Sequence, residues 1–217
     1  MITTVFFDMD GVLIDSEPYW QIAERKIFKN IFNVSLTEDD IHSSTGLKTT
    51  EVVDMHCKKY QIKDYNKEEI GFEIEKEVIR QVKSEGKAKK GLYDVVEYIK
   101  TKNYRRVLVT SSSHYVLENI VEFLGLQDFF EKCFSAYDEL LGKPDPAVYL
   151  SALDYVKESR ENILVIEDST NGVTAAYRAG LRVWAIPEFA NRMNPKYDVA
   201  DKMFNTHTEI LSAMKAL

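Results

Sequence analysis

The sequence predicts an α/β fold with a mostly parallel sheet, and three features carry this prediction. Short apolar segments of strand length recur along the 217-residue chain, and amphipathic segments of helix length separate most of them. The stretch from residue 16 to 87 shows helical patterns alone. Alternating strands and helices form right-handed βαβ units with helices on both faces of a parallel sheet. We therefore expect a Rossmann-like, doubly wound core with an inserted all-helical cap domain.

Four segments are predicted as buried strands because they are nearly continuous runs of β-branched and aliphatic residues, as expected in parallel sheets. They are Ile2–Phe7, Asn103–Thr110, Ile163–Ile166 and Leu181–Ile186, and Lys132–Ser135 is a shorter candidate. The helices predicted around them are Leu92–Lys100, His114–Leu124, Pro146–Val156 and Gly172–Ala179. Gly180 is expected to end the last of these helices, since glycine is favoured just after a helix C-terminus.

The predicted cap domain spans residues 16–87, and residues 1–15 and 88–217 form the predicted core domain. The cap begins at Asp15-Ser16-Glu17-Pro18, where capping side chains and a proline tolerated in the first turn indicate a helix start. Its predicted helices are Tyr19–Asn30, Thr37–Ser43, Thr49–Tyr60 and Lys67–Ser84.

The composition excludes several classes of partner. A formal net charge of −7 provides no basic field for nucleic acid or for an anionic membrane surface. The apolar runs are much shorter than the ~20 residues that a membrane-spanning helix needs. The two cysteines, Cys57 and Cys133, lie far apart, which is typical of free thiols in a reducing compartment. We therefore expect a cytoplasmic monomer that acts on a small molecule, with neither nucleic acid nor membrane as partner.

Polar side chains stand where the predicted strands end. These positions are Asp8 and Asp10, Thr110 and Ser111, and Glu167 and Asp168, with Lys143 in a loop before a helix. Ligands of open parallel sheets bind at the carboxyl ends of the strands, so we expect these groups to share one crevice. Crowded carboxylates need a cation between them, and an all-oxygen set of ligands suits Mg²⁺.

Several of these residues also have a simpler interpretation. Asp8 and Asp10 could form an ordinary turn, Lys143 could be a solvated loop lysine, and the serines after Thr110 could cap a helix. An EF-hand calcium loop is excluded because Gly11 follows only two acids and no regular series of oxygen ligands comes after it. The four histidines show no zinc-ligand spacing and are predicted to be surface or capping residues.

Four motifs taken together resemble the signatures of the haloacid dehalogenase superfamily, in the phosphatase branch that has a helical cap. In chain order they are Asp8-Met-Asp10-Gly11-Val12, Thr110-Ser111-Ser112, Lys143-Pro144-Asp145 and Glu167-Asp168-Ser169-x-x-Gly172. The segment from Asp8 to Pro18, followed by Trp20, is most similar to sugar-phosphate phosphatases of the 2-deoxyglucose-6-phosphatase and hexitol phosphatase type, within the β-phosphoglucomutase-like subgroup.

The resemblance implies a role for each site residue. Asp8 would attack a phosphate ester and form an aspartyl-phosphate, and Asp10 would be general acid and then general base. The implied phosphoryl-binding and substrate-binding residues are Thr110, Ser111, Lys143, Trp20 and Lys48. The implied Mg²⁺ ligands are Asp8, Asp168 and the backbone carbonyl of Asp10, with Glu167 binding directly or through water.

Two other functions stay open at this stage. A phosphomutase of the same subgroup would have histidine at the position of Trp20 and a Lys-Gly-x-Ser-Arg loop in the cap. Trp20 and the segment Thr45-Gly46-Leu47-Lys48-Thr49 depart from that pattern, which favours hydrolysis. A non-catalytic phosphate-binding module is the alternative from another class, although such a module has no need for Asp10. A haloacid dehalogenase would lack the second aspartate, and Lys48 has the wrong context for the Schiff-base lysine of a phosphonatase.

Overall fold

The computed structural model describes residues 1–44, 46–188 and 191–217. Its described part contains one parallel sheet with the strand order β3-β2-β1-β4-β5-β6. The strands are β1 (Thr4–Phe7), β2 (Arg105–Thr110), β3 (Lys132–Ser135), β4 (Ile163–Glu167), β5 (Arg182–Ala185) and β6 (Lys202–Met203). β1 pairs with β2 on one side and with β4 on the other, so that Thr4 lies opposite both Arg105 and Ile163.

The helices between β1 and the rest of the sheet follow the predicted pattern. They are α1 (Glu17–Phe32), α2 (Glu38–Ser44), α3 (Thr49–Lys59) and α4 (Lys67–Glu85). α4 packs against both α1 and α3. Asn66 caps α4, since its side chain accepts hydrogen bonds from two backbone N–H groups of the first turn. We refer to α1–α4 as the cap helices; the division of the chain into two domains stays a prediction.

The remaining helices alternate with the strands. They are α5 (Leu92–Thr101), α6 (His114–Phe123), α7 (Ala147–Val156), α8 (Thr170–Arg178) and α9 (His207–Lys215). As predicted, α8 is followed by Gly180, which has a φ of +73° and donates its N–H to the carbonyl of Tyr177. β6 and α9 are absent from the sequence prediction, because a two-residue strand and a nine-residue helix near the C-terminus show little periodicity.

The sheet is apolar on both faces because successive side chains of a strand point in opposite directions. Val5 and Phe7 join a core cluster with helices such as α5, whereas Phe6 joins a second cluster with residues of α7 and α8. All three side chains are completely buried. β1 is therefore an interior strand of a doubly wound sheet. Asp8, which directly follows β1, is anchored by this buried strand.

Two expectations about single residues are wrong. His56 and His207 are buried, whereas all four histidines were expected to be surface or capping residues. His56 is buried in edge-on contact with the Phe28 ring, and His207 is buried at the start of α9, the helix that packs against α5. Trp184 is a buried residue of β5, as predicted.

Both cysteines are free thiols, Cys57 buried and Cys133 half-buried. Among the described residues, no helix has the length and apolar character that crossing a membrane requires.

Candidate active site

A cavity lies at the carboxyl ends of β1, β2 and β4, covered by residues of α1 and of the segment that precedes α3. The predicted site residues that line it are Asp8, Asp10, Trp20, Thr110, Ser111, Lys143 and Asp168. They meet there because β1 lies between β2 and β4, so side chains that follow these three strands share one edge. Glu167 and Lys48, the other two predicted residues, are not among the described lining residues.

Asp8 directly follows β1 and is held by the ammonium group of Lys143. Lys143 Nζ donates to Asp8 Oδ1 over 2.8 Å, to Glu167 Oε1 over 2.7 Å and to the Val109 carbonyl over 2.9 Å. An ammonium group has three protons, so all of them are used inside the protein. Lys143 is 1% exposed, which excludes the alternative of a solvated loop lysine.

Glu167 ends β4 and lies behind the cavity wall, where both of its oxygens are engaged. Oε1 accepts from Lys143 and from the Tyr149 hydroxyl, which lies 2.9 Å away. Oε2 accepts from the backbone N–H groups of Asp168 and Ser169, over 3.1 and 3.2 Å. The carboxylate is therefore fixed in place, and it holds Lys143 against Asp8.

Asp10 is held by donors from both sides of the cavity. Its Oδ1 accepts from Ser16 Oγ and from Trp20 Nε1 at 2.9 Å, and its Oδ2 accepts from Ser112 Oγ at 2.7 Å. Ser16 occupies the N-cap position of α1 but makes no capping hydrogen bond with its side chain. The expectation that Ser16 caps the helix is therefore wrong, because its hydroxyl is committed to Asp10.

The hydroxyl residues from Thr110, the last residue of β2, to Ser113 serve two purposes: some line the cavity and one caps the next helix. Thr110 Oγ1 accepts from the backbone N–H two residues further on, and Ser111 Oγ donates to the Gly46 carbonyl over 2.9 Å. Ser113 caps α6, as the simpler interpretation of this segment has it. Thr110 and Ser111 line the cavity, so the segment contributes both a cap and a wall of the site.

Lys48 reaches from the cap helices to the core, but to a backbone group outside the cavity. Its Nζ donates to the Glu139 carbonyl over 2.7 Å, and the side chain is buried. Beside it, Glu51 Oε1 accepts from the backbone N–H of Gly142 over 3.2 Å. In this arrangement Lys48 ties the segment before α3 to the core, and its predicted contact with substrate stays a prediction.

Three carboxylates lie close enough to share a metal ion. Asp8, Glu167 and Asp168 each offer an oxygen within 4.8 Å of the others. Gly11 makes room for this cluster: a Cβ at that position would lie 1.8 Å from Asp168 Oδ2. The donors are all oxygen atoms, and Lys143 is the one cation among the described residues that pairs with them, so the residues present fit a small hard cation such as Mg²⁺.

The electrostatics of the cluster favour an added positive charge. Burial raises the pKa of Asp8, and the charge of Glu167 raises it further, against the opposite effect of Lys143. Burial and the charge of Asp8 raise the pKa of Asp168 well above its ordinary value. Burial alone would lower the pKa of Lys143, but Asp8 and Glu167 raise it overall. One ammonium group therefore does not offset the crowded negative charge.

The model of the haloacid dehalogenase-like hydrolase family matches residues 5–186, which includes all four motifs. The chain belongs to this family. Hexitol phosphatase B from Escherichia coli K12 is 26% identical over 209 residues, 96% of this chain and 94% of that protein. The phosphorylated carbohydrates phosphatase of Thermotoga maritima is 28% identical over 212 residues, 97% of each chain. These relatives are consistent with a hydrolase that acts on phosphate monoesters.

Structural similarity agrees with the α/β fold described above. A crystal structure of β-phosphoglucomutase from Clostridium difficile superimposes with a TM-score of 0.83, over 100% of this chain and 96% of that one. Its identity to this haloacid dehalogenase-like hydrolase is 20%, so this likeness shows the fold alone.

Four residues around the site of this haloacid dehalogenase-like hydrolase have contacts that sequence patterns do not indicate. Ser16 and Ser112 hold Asp10, Tyr149 holds Glu167, and the Tyr197 hydroxyl donates to the Asp168 carbonyl. Ser16 and Ser112 belong to motif segments, and their position there is the one signal that points to them. The tyrosines reach the site only through tertiary packing.

Proposed function

We propose that this protein is a Mg²⁺-dependent phosphatase that hydrolyses small sugar or sugar-alcohol phosphate monoesters through an aspartyl-phosphate. The observation that carries the proposal is the pairing of two carboxylates in one cavity with opposite surroundings. A buried ammonium group contacts Asp8, whereas the described donors to the Asp10 side chain are two hydroxyl groups and an indole. Different surroundings allow two neighbouring carboxyl groups to take different roles.

Asp8 and Asp168 are the side chains that would hold Mg²⁺, together with the backbone carbonyl of Asp10. Glu167 would act by holding Lys143, since both of its oxygens already accept hydrogen bonds within the protein. When bound, Mg²⁺ would offset the repulsion between the nucleophile and the phosphate oxygens.

The first half of the reaction uses Asp8 as nucleophile. Every described hydrogen bond to its side chain goes to Oδ1, so Oδ2 is the oxygen available for attack on phosphorus. As the Oδ2–P bond forms, the bond from phosphorus to the ester oxygen breaks, and protonated Asp10 gives its proton to the leaving alcohol. Thr110 and Ser111 stand at the end of β2, where they would bind phosphoryl oxygens.

The second half regenerates the enzyme. A water molecule attacks phosphorus and gives its proton to the Asp10 carboxylate, and the bond between phosphorus and Asp8 breaks to release phosphate. Asp10 must therefore keep one orientation in both steps, and its hydrogen bonds to Ser16, Trp20 and Ser112 provide that orientation.

We further propose that residues 16–87 move as a cap that admits substrate and then water. The two segments that join them to the core run side by side: Ile14 forms an antiparallel bridge with Ala88, and Asp15 donates its N–H to the Lys87 carbonyl. Adjacent linkers of this kind can act as a hinge.

A phosphomutase is the second candidate, and the position of Lys48 counts against it. A mutase must grip a second phosphate with cations of the cap, but Lys48 Nζ is engaged by the Glu139 carbonyl. Thr49 stands where the mutase pattern has a charged residue, and Thr45, the other departure from that pattern, lies outside the described residues.

Phosphate release from a panel of hexose and hexitol phosphates tests the proposal. The wild-type enzyme should release phosphate with Mg²⁺, lose activity in EDTA and regain it on addition of Mg²⁺. Asp8→Asn should abolish release, whereas Asp15→Asn, seven residues further along the chain, exposed and paired with Lys89, should retain it. Normal turnover by Asp8→Asn would overturn the mechanism, and binding of phosphate without turnover by wild type would favour the non-catalytic module.

A further inference from the structure

A buried carboxylate of the cap helices, Glu24, lines the cavity opposite the catalytic aspartates. On α1, Trp20 comes three residues after Glu17, and Glu24 comes four residues after Trp20. This spacing places all three side chains on one face of the helix. All three residues line the cavity. Glu24 is 5% exposed, and no step of the proposed reaction uses it.

Within the described residues, the contacts of Glu24 leave it with capacity to accept further hydrogen bonds. Ser44 Oγ lies 3.1 and 3.3 Å from the two carboxylate oxygens, but its one proton has a closer acceptor in the Ile41 carbonyl, at 2.8 Å. His56 Nε2 lies 3.3 Å from Glu24 Oε2. A carboxylate can accept about four hydrogen bonds, and a buried one that accepts fewer loses free energy. Hydroxyl groups of a ligand in the cavity would supply the missing donors.

The described lining of the cavity also offers no free cation for a second anionic group. In the part of the lining that the structure describes, Lys143 is the sole lysine or arginine, and its three protons are committed to Asp8, Glu167 and Val109. The ammonium group of Lys48 is turned to the Glu139 carbonyl. A ligand with a negative charge at its far end would therefore meet the Glu24 carboxylate, which His56 contacts from the side of the cap helices, with no lysine or arginine of the described lining to offset the repulsion.

We propose that Glu24 selects the substrate by the group at the end remote from the phosphate. It accepts hydrogen bonds from the hydroxyls of an uncharged polyol or sugar chain, and it disfavours esters that carry a carboxylate or a second phosphate there. This inference rests on the proposed phosphatase function and narrows it to monophosphates of neutral polyhydroxy compounds.

Two esters that differ at one end test this inference: glucitol 6-phosphate, which ends in a CH₂OH group, and gluconate 6-phosphate, which ends in a carboxylate. Loss of a hydrogen bond to a charged group changes affinity by roughly 10- to 100-fold. We expect wild type to prefer glucitol 6-phosphate by at least about 10-fold in kcat/KM, and Glu24→Gln to lower that preference about 10-fold. The ratio for two substrates is unaffected by the fraction of enzyme that is folded.

Glu75→Gln is the matched control. Glu75 is also buried in the cap helices, but it accepts from Ser113 and Tyr137 and is not among the described lining residues. Its substitution should change kcat/KM for both esters by a common factor and leave the ratio unchanged. A Glu24→Gln variant that also leaves the ratio unchanged would overturn the inference while the phosphatase function stands.

Binding separates the inference from the function. In Asp8→Asn, where turnover is blocked, calorimetry should give a lower Kd for glucitol 6-phosphate than for gluconate 6-phosphate, and addition of Glu24→Gln should remove most of the difference. If wild type releases phosphate from neither ester nor from any other tested, the proposed function is wrong, and this Kd ratio still decides the role of Glu24. Equal Kd values for the two esters would overturn that role.

Discussion

Asp10 accepts hydrogen bonds from residues on both sides of the cavity, so its orientation depends on the cap helices as well as on the core. Ser112 belongs to the core segment after β2, whereas Trp20 belongs to α1 of the cap helices. A general acid must point at the leaving oxygen when the bond breaks, because proton transfer depends steeply on distance. The indole of Trp20 is therefore expected to position Asp10 in addition to forming part of the pocket wall.

Trp20→Phe tests this role, because it keeps an aromatic ring and removes the N–H donor. We expect kcat to fall about 10-fold, the effect of one hydrogen bond to a charged group, with KM nearly unchanged. Steady-state kinetics with a hexitol phosphate measures both constants. Trp184→Phe removes the other tryptophan, which lies in β5 away from the cavity, and should leave kcat as in wild type. A rise in KM at constant kcat would instead make Trp20 a substrate contact.

Alanine substitutions at Gly11 and Gly125 distinguish the effect of backbone strain from the effect of a steric clash. Both have positive φ, +73° and +65°, but a Cβ at Gly11 would meet Asp168 Oδ2 at 1.8 Å and one at Gly125 would meet nothing within 4 Å. Both alanine variants should lose about 1 kcal/mol of stability through backbone strain, because a residue with a Cβ is strained in this region, and Gly11→Ala should lose more through its clash with Asp168. Only Gly11→Ala should displace the Asp168 carboxylate, so calorimetry should show at least about 10-fold weaker Mg²⁺ binding. Equal Mg²⁺ affinity in the two variants would contradict the assigned ligand.

At the scale of the element, α9 fixes the C-terminal segment of the described fold by a buried histidine. His207 is the first residue of α9, is 2% exposed, and has no hydrogen-bond partner at Nε2 in the described part of the chain. Burial lowers the pKa of His207 to about 4, and the positive charge of Lys89 adds to this effect, against a hydrogen bond with the Val12 backbone. The folded protein therefore keeps this imidazole neutral at pH values where the unfolded chain protonates it.

This pKa shift predicts lower stability in mild acid. Above pH 6.5 the imidazole is neutral in both states, and between pH 6.5 and about 4 the unfolded state alone binds the proton, so stability falls as pH falls. His207 should contribute a loss of about 2 kcal/mol between pH 7.5 and pH 5. Urea denaturation gives the free energy of unfolding of wild type and of His207→Gln at both pH values. The contribution of His207 is the amount by which wild type loses more stability than His207→Gln between pH 7.5 and pH 5. His42→Gln, at an exposed position of α2, should keep the wild-type loss, and equal losses in all three proteins would contradict the prediction.

At the scale of the whole molecule, phosphatase and mutase differ in what attacks the aspartyl-phosphate. A mutase holds a sugar bisphosphate and excludes water, whereas this cavity has no described cation free for a second phosphate. We therefore expect water to reach Asp8 when the cap helices move away, a gating step of the kind that often limits turnover.

An assay with β-glucose 1-phosphate separates the two reactions. Supplied with a bisphosphate primer and coupled to glucose-6-phosphate dehydrogenase, the enzyme should form little NADPH, while a hexitol 6-phosphate should release free phosphate under the same conditions. Sustained NADPH formation with little free phosphate would identify a mutase. The assay reads both products in one experiment, so a weak enzyme preparation cannot mimic either result.

The edge of the sheet is the part of the site that sequence patterns predict best. Strand ends are visible as apolar runs that stop at Asp8, Thr110 and Glu167, and the geometry of parallel strands then brings these residues together. The fold class follows from the same alternation. Contacts made by tertiary packing are not visible in the sequence in this way. The position of Tyr149 in the sequence, for example, does not indicate that its hydroxyl donates to Glu167. The burial of His56 and His207 is hidden for the same reason.

The pairing of Trp20 with Asp10 also provides an optical reporter built into the chain. The protein has two tryptophans, and Trp184 is buried in β5 beside Phe204, so Trp184→Phe leaves Trp20 as the single indole. The emission of an indole depends on the electric field around it, and Nε1 of Trp20 lies 2.9 Å from a carboxylate oxygen. Asp10 is also held by Ser112 of the core. If the cap helices separated from the core, the hydrogen bond between Trp20 and Asp10 would break, and the fluorescence emission of Trp20 would shift. Stopped-flow fluorescence of that variant would therefore time the opening of the cavity without any attached dye.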